Sequence, residues 1–563
     1  MQHSVVVSIG MIKAVFESEH VPVLLQGEAT HDAATRFVAQ LVRFTADEGR
    51  ILALVAATLP EDYGGNTLNE VPAMIAGALQ KGFDAHPKAG VKRKLKPIEV
   101  LMECFDAVGP ELFQSPLRNA FIALPVKGGD GVVNVGVPSR ACKLFLRELY
   151  FRNTGRAIPT RDLDEFLELL KARAVFDSPM RDVFIRVGGD HNLVCHDPGR
   201  EDGAVVEITA DGYSVTHRPR INLIRSHGMR PLPLPRAGST PYSGFEMFKR
   251  LASLDERTWP LVLSFLIGAM RPDGPFTCLA VEGEQGSGKS TICEMCKRAI
   301  DPSIPMRSNL PDSAQDLMIV AQHRHVVVFD NLSGVKNDMS DALAALATKA
   351  GFEKRQLYTD GELYTIEVAR PFALNGNGDF IHRPDLMDRA IPLLLEALPA
   401  GARRTEERIW CELEALLPEF LHDLYSAVSC AIRNLVTTPA PTTLRMVDAA
   451  HWIAAAESAT GLAPGTMLTA LEEAQASIQA DLAMNDSLFS ALERVLLRGP
   501  FEGRASELLN LLCEDENRRF DRFFPTTPQA LATKLRRMRQ SLGKAGVMVE
   551  FLRRTREGRK LTA

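Results

Sequence analysis

The sequence has no apolar run long enough to cross a membrane. Its most apolar stretch, residues 259–270, is shorter than the roughly 20 residues that a membrane helix needs. The first residues also lack the basic region, apolar core and small-residue cleavage site of a secretory signal. We therefore expect a cytoplasmic protein without a membrane span, in which residues 259–270 form a buried core helix.

Cysteine is scarce, and close cysteine pairs are almost missing. Nine cysteines are spread over 563 residues, and only Cys293 and Cys296 lie close together. A zinc site needs about four ligands, and no second CxxC or HxxxH motif accompanies this pair. The pair therefore indicates two small buried residues one helical turn apart.

The sequence also lacks low-complexity tracts and internal repeats, so most of the chain should be ordered. Its composition, 45% hydrophobic and 24% charged, is that of an ordinary soluble protein. The net charge of −5 argues against a surface coated with positive charge for nucleic acid. Residues 521–563, however, contain eleven Lys/Arg and three Asp/Glu. This basic end is expected to meet phosphates.

Residue periodicity changes along the chain. Apolar residues recur at helical spacing in residues 31–84 and again in 141–174. Short alternating runs separated by Gly-rich turns follow, as in DVFIRVGGDHNLVCHD, and indicate a small antiparallel sheet. In residues 242–398 helix and strand patterns alternate, which predicts a parallel sheet covered by helices.

These changes predict a multidomain α/β protein with four domains. The expected domains are 1–140, mainly helical; 141–240, a small α+β domain with an antiparallel sheet; 241–483, an α/β core with a helical lid; and 484–563, short helices followed by a hairpin that turns at Glu557-Gly558.

The segment FTCLAVEGEQGSGKSTI has the phosphate-binding spacing G-x-x-x-x-G-K-[ST]. An apolar strand leads into it and a helical pattern leaves it, so backbone N–H groups and the positive helix end can surround phosphates. Lys289 is expected to reach the β/γ phosphates of ATP, and Ser290 to bind Mg²⁺. The expected nucleotide-binding residues are Gly283, Glu284, Gln285, Gly286, Ser287, Gly288, Lys289, Ser290 and Thr291.

Two further strands end in polar side chains. The strand in HRHVVVFDNLSG ends in Asp330, about forty residues after the loop, where a second acid should complete the Mg²⁺ site. The strand in RPFALNGNGD ends in Asn375, whose amide is placed to orient the attacking water. The expected metal ligands are therefore Ser290 and Asp330.

An arginine lies before the next apolar run, in RPDLMDRAI. Arg389 is a candidate arginine finger that acts on the γ-phosphate of a neighbouring subunit, which would make hydrolysis depend on assembly. The alternative is a solvated arginine at a helix end. Arg383 is a weaker candidate for the same role.

Two alternating strands flank Asp360-Gly361 in EKRQLYTDGELYTIEVARPF, which predicts a hairpin inserted before the Asn375 strand. Lys354 and Arg355 lie at its base. This hairpin is either a pore loop that grips the DNA backbone or an ordinary surface hairpin.

The basic end contains a helix and a hairpin. In the helix, apolar Leu535 and Met538 alternate with four basic residues, Lys534, Arg536, Arg537 and Arg539. A helix followed by a two-stranded wing resembles a winged-helix domain, which would bind duplex DNA mainly through phosphates. The alternative is a solvated charged helix.

These motifs, in this order, resemble those of AAA+ helicases of the pre-sensor-1 hairpin branch, which includes superfamily-three viral helicases and the archaeal and eukaryotic MCM motors. The segments GPFTCLAVEGEQGSGKST, VVVFDNLSG, RQLYTDGE, RPFALNG, RPDLMDRAI and RMVDAAHW are more similar still to helicases of phages, genomic islands and staphylococcal cassette elements. The resemblance covers residues 274–452. It implies a P-loop AAA+ ATPase core with a helical lid, assembled as a hexameric ring.

The resemblance also implies residue roles. Asp330 would be the Walker B acid, Asn375 sensor one and Arg389 the finger, while Arg445, in the helical lid, would be sensor two and contact the nucleotide.

One departure from the family pattern concerns the general base that activates the attacking water. AAA+ proteins usually have Glu after the Walker B Asp, whereas Asn331 follows Asp330 here. Asn cannot act as a general base. Either catalysis relies on an acid elsewhere, for which Glu284 in the loop is a candidate, or water positioning alone suffices.

A primase module is not expected. The segment LPEDYGGNTLNEVPAMIAGALQKGF resembles the helical segment that follows the primase in related phage proteins. The nearest approach to a primase carboxylate cluster, Asp162-Leu163-Asp164, is better explained as the acidic first turn of a helix. A separate primase or polymerase is therefore an expected partner.

The expected function is an ATP-dependent DNA helicase or translocase for replication of a mobile genetic element or phage. Its cofactors would be ATP and Mg²⁺, with single-stranded DNA in the pore of a hexamer and duplex DNA at the winged helix. One alternative is a regulatory or defence ATPase that binds DNA without unwinding it. Another is an initiator or loader whose ATPase only switches conformation.

Overall fold

The computed structural model divides the chain into two compact units, residues 1–100 and residues 101–563. The residues that the structure describes are 18–27, 30–45, 47–60, 63–81, 83, 95–126, 131–349, 351–355, 363–376, 380–399, 401, 403–484, 487–513, 524–544, 547–551 and 560–562. Among these residues, none of the helices is both long enough and apolar enough to span a membrane.

The first unit is helical, as the periodicity of residues 31–84 predicts. Its helices are α1 (Val21–Leu25), α2 (Thr30–Val42), α3 (Glu48–Ala57) and α4 (Thr67–Gln80). Ala34, Phe37 and Leu41 recur on one face of α2 and are fully buried. Asp47 begins α3, because its side chain accepts a hydrogen bond of 3.1 Å from the Arg50 N–H.

The second unit begins with a nine-stranded sheet whose order is β1-β2-β3-β9-β4-β5-β6-β7-β8. The strands are β1 (Leu112–Gln114), β2 (Ala120–Pro125), β3 (Val132–Gly136), β4 (Val183–Ile185), β5 (Val187–Gly189), β6 (Val194–His196), β7 (Val205–Thr209), β8 (Gly212–Thr216) and β9 (Asn222–Ile224). Neighbours are antiparallel except that β9 runs parallel to both β3 and β4.

This sheet differs from the expected organisation in two ways. It is mixed instead of antiparallel, and it crosses the expected domain boundary at residue 140, because β1, β2 and β3 precede that residue. Pairing of β3 with β9 joins residues far apart in sequence, which local periodicity does not detect. The helices beside this sheet are α6 (Arg140–Thr154) and α7 (Thr160–Phe176). Helix α5 (Pro97–Val108) contacts α7 through the rings of Phe105 and Phe166.

A four-stranded parallel sheet follows, with the order β11-β14-β10-β15. Its strands are β10 (Cys278–Gly283), β11 (Val327–Leu332), β14 (Phe372–Gly376) and β15 (Ala390–Leu395). Side chains of β10 alternate between two hydrophobic clusters, with Leu279 and Val281 on one face and Cys278 and Ala280 on the other. The parallel sheet predicted for residues 242–398 is therefore observed.

Helices cover both faces of this sheet. They are α8 (Ser243–Leu251), α9 (Thr258–Ala269), α10 (Lys289–Ile300), α11 (Ala314–Gln322), α12 (Asn337–Thr348) and α13 (Pro384–Met387), followed by α14 (Glu406–Asn434), α15 (Val447–Ala456) and α16 (Thr466–Met484). Residues 259–269 of α9 are all buried, as expected for a core helix. Cys293 and Cys296 are fully buried within α10, also as expected.

The predicted hairpin between β11 and β14 is formed by β12 (Phe352–Arg355) and β13 (Leu363–Ile366), which pair antiparallel. Its turn at Asp360-Gly361 lies outside the described residues, as do the side chains of Lys354 and Arg355.

The last part of the chain contains a small three-stranded antiparallel sheet of order β16-β18-β17. Its elements, in chain order, are α17 (Ser487–Leu496), β16 (Glu502–Arg504), α18 (Ala505–Leu512), α19 (Pro528–Lys544), β17 (Glu550–Phe551) and β18 (Lys560–Thr562). The predicted terminal hairpin is thus β17 and β18, and its turn at Glu557-Gly558 lies outside the described residues.

Candidate functional site

The loop between β10 and α10 depends on glycine at three positions. Gly283, Gly286 and Gly288 have φ angles of 152°, 82° and 88°, which L side chains rarely adopt. A Cβ atom on Gly283 would also lie 2.4 Å from the carbonyl oxygen of Leu395 on the neighbouring strand. The loop therefore turns tightly into α10, whose first N–H groups have no intrahelical acceptors and can meet an anion.

Lys289, the first residue of α10, folds back over this loop. Its Nζ atom donates hydrogen bonds to the carbonyl oxygens of Gly283, at 2.7 Å, and Glu284, at 2.8 Å. The ammonium group is thus held at the mouth of the loop. Glu284 itself is exposed.

A groove of about 830 Å³ lies beside the loop. It is lined by residues 282–285 at the end of β10 and 394–397 at the end of β15. Arg403 reaches the loop from the segment after β15, since a Cβ atom on Gly286 would lie 3.2 Å from its Nη2 atom. Sequence reasoning missed Arg403, because it belongs to no motif.

Ser290 and Asp330 come together at the ends of α10 and β11. The Ser290 hydroxyl donates a hydrogen bond of 2.8 Å to Oδ1 of Asp330. The second oxygen of Asp330, Oδ2, pairs with Nη1 of Arg307, which sequence reasoning also missed. Partial burial alone would raise the pKa of Asp330, but the Ser290 hydrogen bond and the charge of Arg307 lower it below its usual value. Asp330 is therefore ionised at neutral pH.

Asn375 lies on the strand between those that carry the loop and Asp330. It pairs in register with Val281 of β10, and its side chain is buried. Its Oδ1 atom accepts a hydrogen bond of 3.0 Å from the Asn331 N–H, whose residue has a φ of 60°. Parallel strands end at a common edge, here called the carboxyl edge, which brings Lys289, Asp330 and Asn375 to one place.

The donor set at this edge fits a magnesium ion. Mg²⁺ prefers oxygen ligands and is commonly held by one or two carboxylates together with substrate phosphates. Ser290 and Asp330 supply a hydroxyl and a carboxylate 2.8 Å apart. Within the described ranges, His, Cys, Asp and Glu form no group of three or more that could hold a metal.

Arg389 lies at the opposite end of the sheet. Cys278 pairs with Ala390 and Gly283 pairs with Leu395, so Arg389 precedes the end of β15 that is remote from the loop. Five residue steps of about 3.3 Å separate the two ends by about 16 Å. Arg389 is therefore remote from the phosphate loop of its own chain.

Two acids hold this arginine together with Arg445. Oδ1 of Asp385 lies 2.7 Å from Nη1 of Arg389 and 2.6 Å from Nη2 of Arg445, while Nη1 of Arg445 lies 3.0 Å from Asp388. We call these four residues the arginine cluster. The nucleotide contact that the resemblance implies for Arg445 is thus not seen within one chain. Arg383 pairs separately with Asp341, at 2.7 Å.

The predicted basic helix is α19. The Arg536 guanidinium lies 4.6 Å from the centre of the Phe551 ring on β17, so helix and hairpin are in contact. Lys534 is half-buried on the same helix. The side chains of Arg537 and Arg539 lie outside the described part of the chain.

Comparison with solved structures finds a distant similarity to the C-terminal region of NrS-1. Two apo A-form structures of that region are each 12% identical to this chain, with a TM-score of 0.35. The match to the first covers 71% of this chain and 79% of that structure's chain. The match to the second covers 83% of this chain and 99% of that structure's chain. A further apo structure is 11% identical, covers 84% and 99%, and has a TM-score of 0.36. Scores of this size do not establish a shared fold. No curated protein matches the chain.

Family models match two adjoining parts of the chain. Residues 247–485, which include the carboxyl edge and the arginine cluster, match the model described as actinomycete integrative conjugative element replication protein. Residues 488–563 match the model of the C-terminal domain of the same replication protein, AICE RepA. Because the two matches together cover more than half of the residues, the chain belongs to the family of replication proteins of actinomycete integrative conjugative elements.

Proposed function

We propose that this replication protein is an AAA+ ATPase that binds ATP and Mg²⁺ at the carboxyl edge and uses hydrolysis to move and unwind DNA. The observation that carries the proposal is the 2.8 Å hydrogen bond between Ser290 and Asp330. It joins the helix that follows the glycine loop to the acid at the end of β11. Replication of the mobile element supplies the biological setting.

Each residue at the edge has a role in this proposal. The loop amides and Lys289 bind and orient the phosphates, and Ser290 and Asp330 hold the metal ion. ATP and Mg²⁺ together supply the transferable phosphoryl group and the charge that neutralises it. Asn375, fixed by the Asn331 N–H, orients the attacking water.

Asn331 stands where AAA+ proteins usually have a glutamate base. Positioning of the attacking water is better supported than a substitute base as the way in which hydrolysis proceeds without that glutamate. Glu284 is exposed, and the hydrogen bond from Lys289 is to its backbone carbonyl and not to its carboxylate. Asn375 is buried and tied to the neighbouring strand. We therefore assign the water to Asn375 in preference to Glu284.

The position of the arginine cluster supports shared sites between subunits. Arg389 precedes the end of β15 that lies about 16 Å from the loop along the sheet, so in this proposal it serves the nucleotide of a neighbouring subunit as an arginine finger. Arg445 shares Asp385 with it and would act at the same interface. A closed ring, six subunits in the resembling helicases, gives every site such a neighbour.

DNA contacts are assigned to two features. The β12–β13 hairpin, with Lys354 and Arg355 at its base, would face single-stranded DNA in the pore. The order helix, strand, two helices and a two-stranded hairpin in residues 487–562 is that of a winged helix, with α19 as the helix that approaches duplex DNA. Phosphate contacts from Lys534, Arg536 and their neighbours would make binding sensitive to salt.

The experiment is ATP hydrolysis with and without single-stranded DNA, measured for the wild type, for Arg389→Ala, for Lys289→Ala and for a mixture of the two variants. We expect stimulation by DNA, loss of activity in each variant and partial recovery in the mixture, because mixed rings contain interfaces with one intact loop and one intact finger. Hydrolysis that is indifferent to DNA and to Arg389 would sink the proposal.

Asn331 in place of a glutamate favours a second candidate function, a regulatory ATPase that binds DNA without unwinding it. A strand-separation assay with no other protein present distinguishes the two. Processive unwinding that Lys289→Ala abolishes rules out the regulatory ATPase, and its absence alongside ATP binding favours it. Priming would come from a separate primase or polymerase in either case.

A further inference from the structure

Arg307 is held beside the carboxyl edge by backbone pairing. The N–H of Ser308 donates to the carbonyl of Val328, at 3.1 Å, and the N–H of Asp330 donates to the carbonyl of Ser308, at 3.0 Å. The segment around Arg307 therefore runs alongside β11 like one more parallel strand. This fixes the backbone from which the Arg307 side chain reaches Asp330.

Arg307 connects two carboxylates. Its Nη1 atom pairs with Oδ2 of Asp330, and its Nε atom donates a hydrogen bond of 2.8 Å to Oε2 of Glu294 on α10. The side chain of Glu294 is only 8% exposed, and its other oxygen accepts a hydrogen bond of 2.9 Å from Nε of Arg298. The guanidinium of Arg298 in turn lies 4.3 Å from the centre of the Trp410 ring. Glu294 is thus fixed independently of Arg307.

Both oxygens of Asp330 are therefore engaged. The Ser290 contact on Oδ1 is compatible with a metal ion, because a hydroxyl can donate its proton to the acid and offer a lone pair to the metal. The Arg307 contact on Oδ2 competes with a metal ion, since a guanidinium and a divalent cation on one oxygen repel each other. A metal ion therefore has both oxygens of Asp330 available only when Arg307 moves away from Oδ2.

We propose that Arg307 takes the place of the metal ion on Asp330 until a metal-bound nucleotide arrives, and that Glu294 retains the guanidinium after it is displaced. Arg307 is thus a positioning residue that sets how much Mg²⁺ the site requires. This inference rests on the proposed nucleotide site. It assigns functions to two residues that no sequence motif marks.

The proposal predicts opposite effects for the two partners. Without Arg307 the metal has no competitor, so Arg307→Gln lowers the Mg²⁺ concentration needed for nucleotide binding. Without the Glu294 charge the guanidinium is left with Asp330 alone, so Glu294→Gln raises that concentration. A contribution typical of one partly exposed ion pair corresponds to a change of about five-fold in either direction.

The test is a Mg²⁺ titration of the full-length protein in the presence of a fluorescent ADP analogue, followed by anisotropy. It gives the half-saturating Mg²⁺ concentration for wild type, Arg307→Gln and Glu294→Gln. Arg181→Gln is the matched control, because Arg181 has the same 34% exposure as Arg307 and pairs with an acid, Glu111, that lies outside the proposed nucleotide site. Its half-saturating concentration should equal that of the wild type.

Arg307→Lys tests the same proposal in case Arg307→Gln does not fold. Lysine keeps the charge but has a single donor group that cannot bridge both acids as the guanidinium does, so we expect a smaller decrease than with Gln. If every variant leaves the Mg²⁺ dependence unchanged, or if both Gln variants shift it in the same direction, the proposal is overturned. Failure of the wild type to bind the analogue at any Mg²⁺ concentration would instead overturn the proposed function.

Discussion

Replacing Arg186 should destabilise the second unit more than any surface substitution. Arg186 is fully buried at the end of β4, and its Nε atom donates a hydrogen bond of 3.0 Å to Asp301. Its other nitrogens donate to the carbonyl oxygens of Asp197, Arg230 and Pro302, at 2.8–3.0 Å. The side chain therefore ties the nine-stranded sheet to the segment that follows α10.

The loss of stability in Arg186→Met follows from the buried carboxylate of Asp301, which remains without its guanidinium partner. Asp301 is buried, yet the charges of Lys297 and Arg186 lower its pKa to about 2, so it is ionised. Removing Arg186 leaves this carboxylate with Lys297 and the N–H groups of His325 and Val326. Breaking a buried ion pair typically costs about 3–5 kcal/mol. Because these partners compensate in part, we expect about 3–4 kcal/mol at the lower end of that range.

The measurement is calorimetric melting of wild type, Arg186→Met and the control Arg181→Met. If the second unit melts in one transition, a loss of this size lowers Tm by about 4 °C. The control removes a partly exposed pair with Glu111, for which about 1 kcal/mol or less is typical. A Tm of Arg186→Met within about 1 °C of the control would refute the idea that this pair joins the sheet to the α10 region.

Three further predictions concern pH, the loop and the interface. Burial lowers the pKa of His196 to about 4 and of His325 to about 3, so between pH 6.5 and 4 the unfolded state binds more protons than the folded state. As the pH is lowered through this range, the free energy of unfolding should decrease by up to about 1.4 kcal/mol per pH unit for each histidine. Tm should therefore decrease as the pH is lowered below about 6.5 and stay constant above it. Gly283→Ala should abolish binding of a fluorescent ADP analogue, since its Cβ would clash with a carbonyl oxygen on β15 and displace the loop; full binding would show that the loop tolerates the methyl group. Asp385→Asn should reduce ATP hydrolysis about ten-fold at unchanged nucleotide affinity, because it releases Arg389. An equal loss of hydrolysis and of nucleotide affinity would instead indicate that Asp385 acts at the nucleotide site of its own chain.

Features that depend on short stretches of sequence are the ones that sequence reasoning finds. The loop glycines and Lys289 occupy a spacing that phosphate binding requires, and Asp330 and Asn375 end apolar strands of ordinary length. Their meeting at one edge follows from the parallel arrangement, which alternating helix and strand patterns predict. The buried helix 259–269 is likewise evident from its uniform apolar composition.

Features that depend on long-range pairing are not evident from local patterns. The parallel pairing of β3 with β9 joins residues on both sides of α6 and α7, so the sheet crosses the expected domain boundary. Arg307 and Glu294 belong to no motif, and they differ from other charged residues only because Arg307 pairs with both Asp330 and Glu294. The ion pair between Arg445 and Asp385 joins residues sixty positions apart.

The polarity of the parallel sheet connects the nucleotide site to assembly. A loop after Gly283 and an arginine before Ala390 lie at opposite ends of paired strands, so no rearrangement of side chains alone brings both to one nucleotide. If Arg389 contributes to hydrolysis at all, it must therefore do so in another copy of the chain. Dilution offers a direct check, because specific activity should then fall at low protein concentration. Specific activity that is constant upon dilution, in a protein that sediments as a monomer, would exclude shared sites.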